Sequence, residues 1–305
     1  MHQASAGQAT GPVTYVGVST KMYLGYRSTL DWLERLCHEV DSRPALAAGR
    51  VVPFVIPAFP VLPAAAALLL DSPLILGAQN CGWSEGAWTG EVAPSMLAEV
   101  GVRLVEIGHA ERRAHFGESD AVVALKVRAA DDAGLTPLLC VGEDFVGGNS
   151  VSQVGLGEDS GGEDGGGEDY GGEDRSGEDG SGAAMAAASF VYRQIEAAVH
   201  GDWVLASRLI IAYEPVWAIG APEPADAAYV SDVVNHLRTL LAAHALQDLP
   251  VIYGGSAKPG LLPGLGGVSG LFLGRFAHDA ANFGKVLDEA LLSAPALSPT
   301  AGTAR

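Results

Sequence analysis

Eight short apolar runs punctuate the chain, each five to seven residues long: VTYVGVS (Val13–Ser19), VVPFVI (Val51–Ile56), LILGAQ (Leu74–Gln79), LVEIG (Leu104–Gly108), TPLLCVG (Thr136–Gly142), RLIIAYE (Arg208–Glu214), PVIYGG (Pro250–Gly255) and GLFLG (Gly270–Gly274). Their apolar positions are nearly continuous rather than alternating. That is the signature of parallel strands covered on their outer face by helices. The stretches between them have helical spacing. STLDWLERLCHEV (Ser28–Val40) predicts a helix capped by Ser28, with Leu30, Leu33, Leu36 and Cys37 on one face. SDAVVALKVRAADDAG (Ser119–Gly134) has a Ser cap and a closing Gly, and AAYVSDVVNHLRTLLAAHAL (Ala227–Leu246) is the longest clean helical pattern.

Strands alternating with helices make either a doubly wound sheet or a closed barrel. Length decides between them. From Gly147 to Ala183 the triplet GED recurs with a period of five, starting at Gly157, Gly162, Gly167, Gly172 and Gly177. Such a Gly- and acid-rich segment has too little apolar surface to offset the entropy of ordering. It is therefore expected to be a disordered insertion after the fifth strand, with disordered tails at 1–12 and 293–305. What remains is about 240 residues, the size of one (β/α)8 barrel. The predicted fold is a single α/β barrel over 13–292, interrupted at 147–183.

Composition narrows the function. The net charge is −18, and ten of the 36 acidic residues lie in the insertion with a single base, so that segment supplies half of it. This balance argues against nucleic acid as a partner. The longest apolar run is far too short to span a membrane. The first residues show neither a basic nor an apolar leader region, so no secretory signal is expected. Three widely spaced cysteines, Cys37, Cys81 and Cys140, suggest neither a disulfide framework nor a metal site. A cytoplasmic protein without metal or organic cofactor is the expectation.

In such barrels the chemistry sits where strands end. The strand tips supply Ser19 and Lys21, Gln79 and Asn80, His109, Glu214, the run Gly254-Gly255-Ser256, and Gly274-Arg275. A carboxylate, an imidazole and an ammonium above small-residue loops suit proton abstraction next to a carbonyl in a phosphorylated substrate. Pro215 stops Glu214's strand from continuing and turns the chain into PVWAIG, which has the look of a lid.

At these residues the chain resembles the triosephosphate isomerase family. AYEPVWAIG, EIGHAERR, AQNCGWSEGAWTGEV, CVGE and YGGS match that family's motifs in order, and the first is nearly diagnostic. The resemblance implies that Glu214 is the base, His109 the neutral electrophile and Lys21 the cation at the substrate oxygen. It implies that Glu111 supports Lys21 and that PVWAIG, ending at Gly220, closes over the site. Ser256, Gly254, Gly255 and Gly274 would hold phosphate, with Arg275 as an added contact, and Ser19 would touch the substrate. It further implies a homodimer in which Thr89, in the loop after the third strand, approaches the partner's site.

The chain departs from the family near the substrate. Ser19 stands where Asn is usual, Ala110 where Ser is usual, AIGAPEP replaces AIGTGK, and Arg275 follows a single Gly in the eighth loop. Three readings follow. The first, preferred because most chains with these motifs have that activity, is triosephosphate isomerase. The second is an isomerase of tetrulose phosphates such as L-erythrulose 1-phosphate, by the same enediol chemistry. The third is a barrel without catalysis that binds through its acidic loop; the presence of Glu214, His109 and Lys21 argues against it.

Overall fold

The computed structural model describes residues 12–146, 149–150, 180–221 and 223–294. Eight parallel strands close into a barrel: β1 (Thr14–Ser19), β2 (Val51–Ile56), β3 (Ile75–Ala78), β4 (Leu104–Ile107), β5 (Thr136–Val141), β6 (Ile210–Tyr213), β7 (Val251–Gly255) and β8 (Gly270–Leu273). Each pairs with the next, and β8 returns to β1 with Tyr15 opposite Gly270 and Val16 opposite Leu271. All eight predicted strands are present, each within two residues of its expected ends.

Side-chain parity divides the core in two. Val16, Val18, Val105, Ile107, Ile211 and Tyr213 point outward and are buried against the helices. Phe54, Ile56, Leu104, Leu138, Cys140, Ile210, Ala212, Ile252 and Phe272 fill the barrel interior. Phe54 reaches across to stack on Phe272, with ring centroids 5.7 Å apart. Gly17 makes this possible, because a Cβ there would fall 1.8 Å from the Phe54 ring.

The helices are α1 (Tyr26–Asp41), α2 (Leu62–Leu68), α3 (Pro94–Glu99), α4 (Ala110–Phe116), α5 (Asp120–Asp132), α6 (Gly180–Val199), α7 (Trp203–Ala206), α8 (Ala227–Leu241) and α9 (Ala280–Ser293). Ser119 caps α5 as expected, accepting from the Val122 N–H. Ser28 does not cap α1. That helix starts two residues earlier, after Gly25, and the Ser28 hydroxyl donates to the Gly25 carbonyl. The helix expected to reach Leu246 stops as an α-helix at Leu241, where a 3-10 turn and a left-handed Ala245 follow.

The GED repeats lie outside the described residues, as do 1–11 and 295–305. The edges of the insertion differ from expectation. Phe145–Val146 pairs antiparallel with Asn149–Ser150, and α6 begins at Gly180, inside the segment assigned to the insertion. The Ala-rich run that follows favours helix, and Ala184, Ala187 and Ala188 are fully buried. Similarly, α9 continues to Ser293 and Ala294 is buried, so the C-terminal tail starts later than expected. Among the described residues, no helix is long and apolar enough to cross a membrane.

Candidate active site

The C-terminal mouth of the barrel holds a cavity of about 350 Å³. Ser19, Lys21, His109, Glu111, Glu214, Gly220, Gly255, Ser256, Gly274 and Arg275 all line it. They come from the loops after β1, β4, β6, β7 and β8, so only the closed barrel brings them together.

Glu214 leaves β6 with its backbone N–H donating to the Val141 carbonyl, which continues the ladder by one residue. Parity then points its side chain inward, in line with Ile210 and Ala212. Its Oε2 is buried, has no hydrogen-bond partner, and lies 3.5 Å from His109 Nε2. An oxygen with a free lone pair inside a cavity is placed to take a proton from a bound carbon.

His109 is the residue before α4, and its Nδ1 accepts the backbone N–H of Glu111 at 3.1 Å. A nitrogen that accepts carries no proton, so the ring is neutral and its proton sits on Nε2, facing the cavity. This is the tautomer that can polarise a carbonyl without first losing charge.

Lys21 has φ +46, a left-handed conformation that is costly outside glycine. Two neighbours hold it there: Gln79 Nε2 donates to the Lys21 carbonyl at 2.9 Å, and the Lys21 ammonium is ion-paired with Glu111. Burial alone would depress the Lys21 ammonium. Glu111, then Glu214 and Glu106, outweigh it and the net shift is upward, so Lys21 stays charged. Glu111 feels burial in the opposite sense, but Lys21 and His109 bring its carboxyl below the ordinary value.

The segment after Glu214 forms a short 3-10 turn, Val216–Ala218, and then crosses the mouth of the cavity. Its root is pinned by Glu143, whose Oε1 accepts from the Tyr213 hydroxyl at 3.2 Å, the Trp217 indole at 3.1 Å and the Tyr229 hydroxyl at 2.9 Å. Its far end meets β7's loop, where the Ser256 hydroxyl donates to the Ala221 carbonyl at 2.5 Å.

Gly254 and Thr89 lie outside the lining of this chain's cavity, Thr89 being the residue expected at the partner's site. Gly254 sits within β7, facing inward, and the Glu214 carboxylate fills the space where its side chain would be. The absent side chain makes room for Glu214. Thr89 is exposed in the loop after β3 and away from this chain's cavity. Arg112, next to Glu111 in sequence, faces away from the cavity: it bonds Glu118 at 2.9 Å, which in turn meets Lys126 at 2.5 Å behind the site. Arg275 lies at the exposed rim, its guanidinium 5.6 Å from the Tyr23 ring centre.

Among the lining residues that escaped the sequence reading are Glu106, Tyr23, Lys258 and His278. Glu106 is the most informative. It is 4 % exposed and sits within β4, three residues before His109. Burial pushes its carboxyl up to about 7, with Glu214 adding to the shift and His109, Lys21 and the Ser19 hydroxyl opposing it. Alternation along LVEI would have found it, since Leu104 and Glu106 share the inward face.

A carboxylate with an open lone pair, a neutral imidazole and a paired ammonium, gathered at the top of a (β/α)8 barrel under a covering loop, define a class of enzyme that moves protons beside a carbonyl. A sequence model described as triosephosphate isomerase matches residues 14–151 and 177–290. The chain belongs to the triosephosphate isomerase family. It is 43% identical over 278 residues to an L-erythrulose-1-phosphate isomerase of Pectobacterium atrosepticum, covering 90% of this chain and 95% of that one. It is 35% identical over 286 residues to a protein of the same name from Mesorhizobium japonicum, covering 91% and 97%. To a triosephosphate isomerase of Synechococcus sp. it is 34% identical over 233 residues, covering 75% and 76%. Among solved structures, triosephosphate isomerase from Bartonella henselae superposes with a TM-score of 0.66 at 26% identity, covering 90% of this chain and 98% of that one.

Proposed function

We propose that this protein isomerises a tetrulose phosphate, L-erythrulose 1-phosphate, by moving a proton between adjacent carbons. The reaction type rests on the unpartnered Glu214 Oε2 lying 3.5 Å from the protonated Nε2 of His109. The choice of a four-carbon substrate rests on the relatives: the two bearing the tetrulose name match over 90% or more of the chain, the triose-named one over 75%. The expectation of a triose substrate thus gives way to its alternative.

The substrate itself dictates the route. In erythrulose 1-phosphate C1 carries the phosphate ester and has no free hydroxyl, so the ketone at C2 can migrate only to C3. Glu214 removes the C3 proton, and the electron pair forms the C2–C3 double bond. His109 Nε2–H protonates O2, giving the enediol with Lys21 beside the developing charge. The imidazole then recovers a proton from O3, Glu214 returns its proton to C2, and the ketone stands at C3. No bond to phosphorus changes. Backbone N–H groups at Gly220, Gly255 and Gly274, with Ser256, form the cradle for the phosphate, and Arg275 supplies charge at its rim.

We further infer a homodimer through the loop after β3, where Trp83 and Trp88 meet edge to face with centroids 4.8 Å apart and Trp88 is 45 % exposed. Sedimentation equilibrium tests that part; a monomer contradicts it. The test of function is kcat/KM on L-erythrulose 1-phosphate beside dihydroxyacetone phosphate and glyceraldehyde 3-phosphate. The tetrulose is expected to be preferred by at least about tenfold. A preference for the triose overturns the substrate assignment, and turnover of neither overturns the reaction.

A further inference from the structure

We infer that Glu106, with Ser19 beside it, is the specificity residue that holds the terminal hydroxyl of a four-carbon ketose phosphate. This rests on the proposed tetrulose reading and assigns a recognition site to it.

The starting point is an oddity of the barrel interior. Below the mouth, the inward positions are apolar: Phe54, Ile56, Leu104, Leu138, Ile210, Ala212, Ile252 and Phe272. Glu106 interrupts this packing, almost fully buried yet lining the cavity. Burying a carboxyl among apolar neighbours is costly, and a Val or Leu at this position would serve the fold better. Its surroundings do not repay that cost. The ammonium nearby, Lys21, is paired with Glu111. The nearest imidazole atom, His109 Nε2, is 3.9 Å away and belongs to a neutral ring. Ser19 lines the same cavity beside it. Glu106 therefore retains hydrogen-bonding capacity facing into the cavity.

The substrate's chemistry matches that vacancy in function. Dihydroxyacetone phosphate carries two hydrogens on the carbon that loses its proton, whereas erythrulose 1-phosphate carries one hydrogen and a hydroxymethyl group there. A tetrulose site thus needs two things that a triose site does not: space at the reacting carbon, and a partner for one more hydroxyl. Ser256 donates to the covering loop and Lys258 is ion-paired with Glu223. His278 Nε2 is buried without a hydrogen-bond partner and Arg275 lies at the rim, but both belong to the loop after β8, on the phosphate side. The phosphate cradle lies on the β6, β7 and β8 side, so the carbon skeleton points its free end toward β1 and β4, where Ser19 and Glu106 sit. Ser19, shorter than the Asn usual in the family, leaves the space, and Glu106 supplies the partner. A protonated carboxyl donates to the hydroxyl and an ionised one accepts from it, so recognition holds in either state.

The experiment compares the wild type with Glu106→Val and Glu106→Gln. Dissociation constants are measured by calorimetry for erythritol 4-phosphate and glycerol 3-phosphate, which lack a carbonyl and cannot react. Turnover of L-erythrulose 1-phosphate is followed in parallel. Glu106→Val is expected to weaken the tetritol phosphate at least about tenfold and leave glycerol 3-phosphate within about twofold, which also shows that the variant is folded. Glu106→Gln, which still offers hydrogen bonds, is expected to recover most of the loss. Equal weakening of both ligands would make Glu106 a structural residue and overturn the inference, as would no change in either. Selective loss of tetritol phosphate in Glu106→Val, beside a wild type that does not turn over the tetrulose, removes the proposed reaction but keeps this site. Turnover of the tetrulose with no selectivity at Glu106 does the reverse.

Discussion

Gly254 and Glu214 occupy each other's space. A Cβ built on Gly254 would lie 2.3 Å from Oε1 and 2.5 Å from Cγ of the Glu214 side chain. The two residues come from neighbouring strands and both face the barrel interior, so the glycine acts as a mould for the carboxylate. Gly254→Ala should displace the carboxylate by about 1 Å and lower kcat on the order of a hundredfold, with a smaller change in KM. Steady-state kinetics on the tetrulose phosphate check this. A wild-type kcat would show that the carboxylate does not need this seat.

The base itself has a sharper signature. Glu214→Gln keeps the shape and removes the lone pair that takes the proton. The expected loss in kcat/KM is at least about a thousandfold, roughly 4 kcal/mol of barrier. Binding of a non-reacting phosphate ester should change far less, and calorimetry on the same preparation separates the two effects.

The buried carboxyl of Glu106 makes stability depend on pH. Folding raises it from the ordinary 4.5 to about 7, chiefly by burial, while His109, Glu214, Lys21 and Ser19 face it. Between those two values the folded state binds more protons than the unfolded state, so this group's contribution falls as pH rises. The loss from below pH 4.5 to above pH 7 is on the order of 3 kcal/mol. Urea unfolding at pH 5 and pH 8 should show the wild type losing stability relative to Glu106→Gln at the higher pH. Parallel changes in the two proteins would refute the assignment.

Behind the site, Lys126 and Glu118 form an ion pair with both side chains only 2 % exposed, and Lys126 Nζ also donates to Asn80 Oδ1 at 2.9 Å. Lys126→Met removes the cation and leaves Glu118 with Arg112 alone. Breaking one side of a buried pair costs about 3 kcal/mol or more. Denaturation midpoints report it. Because the pair supports the floor of the β3 and β4 loops from outside the cavity, KM should move less than stability.

The strands were legible in the sequence because each is covered on both faces and therefore reads as an unbroken apolar run. Glu214, His109 and Lys21 could be brought together because each ends a run, and the ends of parallel strands share one face of the barrel. Glu106 was hidden by the same logic. It lies within a run, where its neighbours mark it as strand, and only inward parity exposes its contact with the cavity. The space that Gly254 leaves for Glu214 was not legible, because Gly-Gly-Ser looks like a phosphate loop and the demand of a side chain on the neighbouring strand, forty residues earlier, cannot be seen locally. Ser28 offered a plausible cap, but the chain turned at Gly25 and the hydroxyl spent its bond on that carbonyl.

The seam between β1 and β8 joins Tyr15 to Gly270, and the two ends of the described chain are clasped further by Trp32 Nε1 donating to the Ala277 carbonyl and by Arg43 meeting Asp288. During synthesis, the first strand emerges with no neighbour on that side until the other seven strands have been made. The loop bearing Lys21 is thus translated before the other loops of the barrel mouth and is among the last to be fixed in place. Contacts so distant in sequence form slowly, and until they form the apolar edge of β1 is open to pairing with other chains. Birth of activity is therefore a report on ring closure, and the interval before it is when this protein most depends on being kept apart from its own copies.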